Sequence, residues 1–153
     1  MTMLATTDKY PASMPASGTT AVVIPIGSGK EAALDTMDSV SHYCPEPHIV
    51  VIIDDCTTDG TYEALVDRKR PNWHILRNPY PMGIHRLVHS LASAYRFVLQ
   101  QDTCQLVLRL DQDALLIKRG VIGDLHIRIS KSACLASMTA IITGLVHMMC
   151  IAG

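Results

Sequence analysis

Ile49-Val50-Val51-Ile52-Ile53-Asp54-Asp55-Cys56-Thr57-Thr58-Asp59-Gly60-Thr61 is the stretch that decides the fold. It opens with five consecutive β-branched apolar residues and no polar one among them. A strand with one wet face alternates, so an unbroken run of this kind is a strand buried on both sides, as in a parallel sheet covered by helices. We place that strand at His48 to Ile53. The carboxylates that follow lie at its carboxyl end, and the polar run to Gly60 is a turn leading into a short helix over about Thr61 to Lys69.

Reading outward, the same alternation continues in both directions. Upstream, Pro45 and Pro47 stop a helix over Lys30 to Tyr43, whose Ala33, Met37, Val40 and Cys44 share a face. Before it, Ala21 to Ile26 is a second buried strand, closed by the turn Gly27-Ser28-Gly29. Downstream, Trp73 to Arg77 forms a strand, Asn78 to Pro81 a loop, and Gly83 to Gln101 a helix. Ile84, Leu87, Val88, Leu91, Ala94, Tyr95 and Val98 recur there at helical spacing. Gln105 to Leu110 is a fourth strand, ending in Asp111-Gln112-Asp113. Strands alternating with helices predict an α/β fold with a mainly parallel sheet and flanking helices. In such sheets ligands bind beyond the carboxyl ends of the strands.

The 153 residues suit one domain, and a formal charge of −1 lacks the basic excess of a nucleic-acid partner. Met1 to Thr20, rich in Thr, Ser, Ala and Pro, reads as a disordered leader without a secretory h-region. Five cysteines without a C-x-x-C pair fit reduced thiols in the cytoplasm. The expected domain runs from 21 to 121, with 122–153 an apolar C-terminal segment. Ser132 to Gly153 carries no Asp, Glu, Lys or Arg, but its Ser, Thr and His residues favour a core segment, or the remnant of a truncated domain, over a membrane span.

Two strands end in paired carboxylates, Asp54-Asp55 and Asp111-x-Asp113. If strand geometry persists, Asp111 and Asp113 point to one side. Like charges so close repel, and a divalent cation removes that penalty. Mg2+ and Mn2+ prefer oxygen ligands and commonly take carboxylates together with substrate phosphates. Asp111 and Asp113 are therefore the expected metal ligands. Asp59 is expected to act as a turn or N-cap residue before the Thr61 helix.

In this order the elements resemble the family 2 glycosyltransferases of the GT-A fold. The matching pieces are Val22 to Ile26, Leu34 to Val40, Ile49 to Thr61, His74 to Asn78 with Gly83, and Leu108 to Leu115, over about Ala21 to Val121. The resemblance implies a nucleotide-diphospho-sugar donor, a sugar or glycan acceptor, and inverting transfer to an acceptor hydroxyl. It places Pro25, Ile26 and Gly27 in the nucleoside pocket, Asp54 and Asp55 near the nucleobase and ribose, Asp111 at ribose or diphosphate, and Asp113 on the metal. The chain departs from the family in two places. Leu87-Val88-His89 stands where many members carry Ala-Arg-Asn. No Glu follows Glu63, and the one Asp after Asp113, Asp124, comes too soon to match the family's base. Inverting transfer needs a group to take the acceptor's proton. The expectation is a donor-binding half that turns over slowly or not at all alone, in the cytoplasm or peripheral at a membrane.

Two rivals remain. Gly27-Ser28-Gly29-Lys30-Glu31-Ala32 fits the G-x-G-x-x-A fingerprint of an NAD(P)-binding Rossmann-type oxidoreductase. A non-catalytic nucleotide-binding or interaction module is the other. Gly29-Lys30 is no Walker A motif, since Glu31 replaces its Ser or Thr. His85 and His89, four apart without a third ligand, read as solvent-facing, and Trp73, opening a strand, as core.

Overall fold

The computed structural model describes residues 19–44, 47–131, 140–141 and 145–150. Four parallel strands form its centre: β1 (Thr19–Ile26), β2 (His48–Asp54), β3 (Trp73–Arg77) and β4 (Cys104–Arg109). Between them run α1 (Lys30–Tyr43), α2 (Thr61–Asp67), and a 3-10 turn (Gly83–His85) that leads into α3 (Arg86–Val98). After β4 come α4 (Val121–Lys131) and the strands β5 (Ala140–Ile141) and β6 (Leu145–Cys150). The sheet order is β3-β2-β1-β4-β6-β5, with β6 antiparallel to β4. The fold is α/β with a mainly parallel sheet.

The side chains of β1 explain why the run cannot alternate. Val22, Ile24 and Ile26 pack with Ala33, Met37 and Val40 of α1, Leu65 of α2, and Ile122 and Leu125 of α4. Ala21 and Val23, on the opposite face, pack with Val51, Ile53, Val107 and with Ala94 and Val98 of α3. Helices on both faces exclude water from Ala21 to Ile24 and from Ile26, and each buried Val or Ile contributes about 1.5–3 kcal/mol. Because Ile122 and Leu125 enter this core, the packed unit continues through α4 beyond the expected limit at Val121.

Pro25 sits in the central strand, where a proline would normally break the ladder. The register removes the conflict. Val23 O accepts Leu110 N, so the odd residues of β1 face β4. The β1–β4 pairing ends at Val23 opposite Arg109, so the missing N–H of Pro25 meets no partner strand. The chain turns from β1 to β2 on one side and to β4 on the other. This is the switch point at which open α/β sheets form their binding crevice.

Two expectations about the third helix are corrected. The helix predicted over Gly83 to Gln101 begins as a 3-10 turn, and its buried stripe is Ser90, Ala94 and Val98. Ile84 and Val88, assigned to the apolar face, are 93% and 69% exposed, because the start of the helix projects past the sheet. Within the apolar tail, 145–150 forms a strand on β4, while 132–139, 142–144 and 151–153 lie outside the described residues, as does the leader before Thr19. Among the described residues no helix is long and apolar enough to cross a membrane.

Candidate functional site

The turn Gly27-Ser28-Gly29 sits at the switch point and is held by two side chains from other elements. Gln112 Oε1 accepts from Gly27 N at 2.7 Å and from Ser28 N at 3.4 Å, while Gln112 Nε2 donates to Ser28 O. Thr36 Oγ1 donates to Gln112 O at 2.7 Å. Asp59 Oδ2 accepts from Gly29 N at 2.9 Å. Its other oxygen accepts from Thr61 N at 3.1 Å and from the Thr61 hydroxyl at 2.5 Å. These bonds hold the Asp59 pKa down at about 2. Gly60, in the left-handed region at φ 81°, is the residue that caps α2, so Asp59 acts as the turn residue before it and as a tie to the Gly29 loop.

Asp54 and Asp55 are adjacent but do different work. Asp54 is fully buried. Its carboxylate meets Arg77 Nε at 3.1 Å and accepts from the Thr57 hydroxyl at 2.5 Å. Arg77 also donates to Thr57 O at 3.0 Å and lies over the Tyr62 ring. Asp54 thus knots the end of β3 to the loop after β2. Asp55 accepts from Asn78 Nδ2 at 2.7 Å and from Met82 N at 3.2 Å, fixing the loop before α3. Directly after them Cys56 adopts φ 55°, rare without a glycine, and its thiol donates to Asn78 O.

Above these strand ends opens a cavity of about 410 Å³. It is lined by Gly27 and Ser28 after β1, by Asp55 to Asp59 after β2, and by Pro81, Gly83 and Arg86 around the start of α3. The Arg86 guanidinium lies directly on Gly27, where a Cβ would stand 2.6 Å from its Cζ. A side chain at Gly27 would displace it. Arg86 opens α3 with no acidic residue in the first turn. A cation is unfavourable at that end of a helix dipole, which marks it as placed for something other than stability.

The second acidic strand end differs from the expectation. The ladder stops at Arg109, and Ala114 N donates to Asp111 O at 3.0 Å, so Asp111-Gln112-Asp113 is a turn. The two carboxylates therefore do not share a strand face. Asp111 pairs with Arg109 Nη2 at 2.5 Å, with 29% of its side chain exposed. Asp113 is exposed. Among the described residues no group of three or more His, Cys, Asp or Glu could hold a metal ion. A divalent ion at this turn has two protein carboxylates at most, which fits Mg2+- or Mn2+-type sites completed by phosphate and water.

Of the sequence-predicted residues, Gly27 and Asp55 reach the cavity wall. Pro25, Ile26, Asp54, Asp111 and Asp113 do not. Arg86 and Gln112 were not singled out in the sequence. Arg86 carried a signal, an uncompensated cation at a helix start; Gln112 carried none, being the unnamed middle of the D-x-D.

No family model matches this chain, and no curated protein matches its sequence. Solved structures do match. A mannosyltransferase from Pyrobaculum calidifontis, in complex with GDP-Man and Mn2+, matches with a TM-score of 0.65 at 16% identity, over 88% of this chain and 45% of its own. The fold is that of the GT-A glycosyltransferases. TarS 1-349 of S. aureus matches at 0.57 and 20% identity, over 74% of this chain and 32% of TarS. GalNAc-T7 with UDP, GalNAc and Mn2+ matches at 0.51 and 20% identity, over 65% of this chain and 19% of its own. This GT-A-like chain spans less than half the length of each. What they share with it is the fold.

Proposed function

We propose that the chain is the donor-binding half of a glycosyltransferase, taking a nucleotide-diphospho-sugar in the cavity over the ends of β1 and β2. The observation that carries this is the Arg86 guanidinium, which forms no ion pair among the described residues, set against the Gly27 turn at the switch point. A cation held there faces an anionic ligand, and Asp55 beside it supplies a carboxylate for hydrogen-bond donors of a nucleobase or ribose. Asp113 and the free oxygen of Asp111 are the residues that would hold Mg2+ or Mn2+, which when bound stabilises charge on a leaving diphosphate. Assignment to family 2 and inversion belong to this reading.

The base for inverting transfer is not supplied by Asp124, which pairs with Lys118 at 3.7 Å at the start of α4. The chain by itself is therefore expected to bind donor without efficient transfer. Calorimetric titration with UDP- and GDP-sugars, with and without Mn2+, tests the binding; a radiolabelled-donor assay tests turnover. Absence of any nucleotide-sugar affinity in the presence of Mn2+ would end the proposal.

The dinucleotide reading is weakened by the same turn. Its pattern requires glycine-loop amides to face a pyrophosphate. Here the amides of Gly27, Ser28 and Gly29 are taken by Gln112 and Asp59. Titration with NADH should show no saturable binding.

A further inference from the structure

Arg109 closes β4, and its two-residue spacing from the buried Val107 puts it on the α3 face of the sheet. Its side chain is 12% exposed, and Nη2 donates to Asp111 Oδ1 at 2.5 Å. The neighbouring Nε is buried and meets no hydrogen-bond partner among the described residues. Nε and Nη2 form one edge of the guanidinium, an edge that can grip both oxygens of a carboxylate at once. Here one of those two bonds is made, and Asp111 Oδ2 lies outside the pair. A cation that is nearly buried and short of a partner is costly, which marks Arg109 as kept for something other than stability. Its charge stands without a second anion close by on α3. Burial pushes the hydroxyl of Tyr95 up and Arg109 pulls it part of the way back, so that group stays neutral at pH 7. The end of β4 and the turn after it therefore set one cation, Arg109, against two carboxylates, Asp111 and Asp113. Gln112, between the carboxylates, is bonded to Gly27 and Ser28 of the cavity lining, so the turn adjoins the cavity.

We propose that Arg109 is a specificity-determining residue of the donor site, one that makes the β4 turn take a divalent cation joined to a diphosphate in preference to the bare ion. The proposal rests on the donor-binding reading above. Affinity of an oxygen site for a hard cation is tuned by the charge of its ligands. Arg109 neutralises part of that charge at Asp111 and repels a bare divalent ion placed on the same carboxylate. At the effective dielectric of a partly exposed site, a unit charge facing a double one lowers affinity by about tenfold. The diphosphate of a nucleotide sugar carries two negative charges, so the ion and diphosphate together are close to neutral. Arg109 has nothing to repel in that pair, and its guanidinium attracts the phosphate oxygens. The residue thus penalises one ligand state and spares the other. The resulting preference is a coupling between ion and donor, equal in both directions.

Titration of the full chain with Mn2+, followed by the electron paramagnetic resonance of the free ion, tests this with and without UDP- or GDP-sugar, after subtraction of the ion that the nucleotide binds alone. In the parent, the bound nucleotide sugar should tighten Mn2+ binding by about tenfold or more. Arg109→Gln should tighten the binding of Mn2+ alone by about tenfold, and should change its binding beside the nucleotide sugar by less than about threefold. Arg109→Lys keeps the charge and should keep the parent's coupling. Combining Arg109→Gln with Asp111→Asn should abolish the gain, because the carboxylate that Arg109 masks is gone. The proposal is overturned if Arg109→Gln gains no affinity for Mn2+ alone, if Arg109→Lys behaves as Arg109→Gln does, or if the gain survives Asp111→Asn. The parent decides without any variant having to fold: equal Mn2+ affinity with and without the bound nucleotide sugar also overturns it. Failure of the parent to bind any nucleotide sugar ends the donor reading and this preference with it. Donor binding in the parent without the change in Arg109→Gln ends the preference alone.

Discussion

The two acidic strand ends look alike in sequence and behave differently in the fold. At the end of β2, Asp54 is closed to solvent and Asp55 nearly so, and the protein supplies their partners: Arg77 and Thr57 for one, Asn78 and the Met82 amide for the other. At the end of β4, Asp111 has one cationic partner and Asp113 stands in solvent. The difference teaches that paired carboxylates at strand ends are not one signal. Where the chain brings donors to them they organise loops, Asp55 still lining the cavity; where it leaves an oxygen free they are open to a cation. The β2 end builds the cavity, and the β4 end, outside the cavity lining, carries carboxylates with oxygens open to a cation.

The sharpest way to break this contrast is to remove a partner from the buried side. Arg77→Ala leaves the Asp54 carboxylate buried with Thr57 alone, and should cost about 3 kcal/mol in urea denaturation. Asp113→Ala, on the exposed side, should change stability by less than about 0.5 kcal/mol. If the two losses were equal, the division into scaffold and ligand ends would fail. The complement is binding. Asp113→Ala should weaken Mn2+-dependent nucleotide-sugar affinity by about tenfold or more, since a metal held by two carboxylates loses half of its protein ligands. Calorimetry with and without Mn2+ reads this directly.

How much of this was legible follows from the same contrast. The unbroken apolar runs of β1 and β2 fixed a covered parallel sheet, because burial on both faces is written in every residue of the run. Helix α1 was placed at Lys30 to Tyr43 as found. Local pattern did not foretell α4 or β6, and it misjudged the start of α3, where Ile84 and Val88 keep helical spacing with nothing packed against them. Periodicity reports an apolar face, not what covers it. In the site, Asp54 and Asp55 were readable as a pair but not as separate roles, since burial depends on Arg77 and Asn78 arriving from β3. Gln112 was hidden for a related reason: its partners, Gly27 and Ser28, lie some eighty-five residues away in sequence.

Gln112 joins the two ends, and its removal sharpens the comparison at smaller scale. Gln112→Ala deletes the bonds to Gly27 and Ser28 and should cost about 1 kcal/mol. Its larger consequence should be on function, since the amides of the turn become free and the β1 and β4 ends lose their link. Gln112→Glu keeps the acceptor for Gly27 N and loses the donor to Ser28 O, so its nucleotide affinity should fall between parent and Ala. Equal affinity in all three would show that the link does not position the cavity.

The smallest expected effect comes from Asp59, the exposed carboxylate that ties the Gly29 turn to the start of α2. Its pKa is depressed from 3.8 to about 2, first by the Thr61 hydroxyl and then by the Gly29 amide. A depressed carboxylate stabilises the fold above its unfolded pKa, because the native state then binds fewer protons than the unfolded one. That contribution should be complete above about pH 4 and should fade as pH drops through 3.8 toward 2. Solvent screening keeps it small at this exposed site. The stability difference between the parent and Asp59→Asn, read by denaturant midpoint, should therefore shrink across this window and vanish below it. A constant difference from pH 6 to pH 2 would mean that the carboxylate's hydrogen bonds, rather than its charge, hold the turn, and the depressed pKa would then have no consequence for the site.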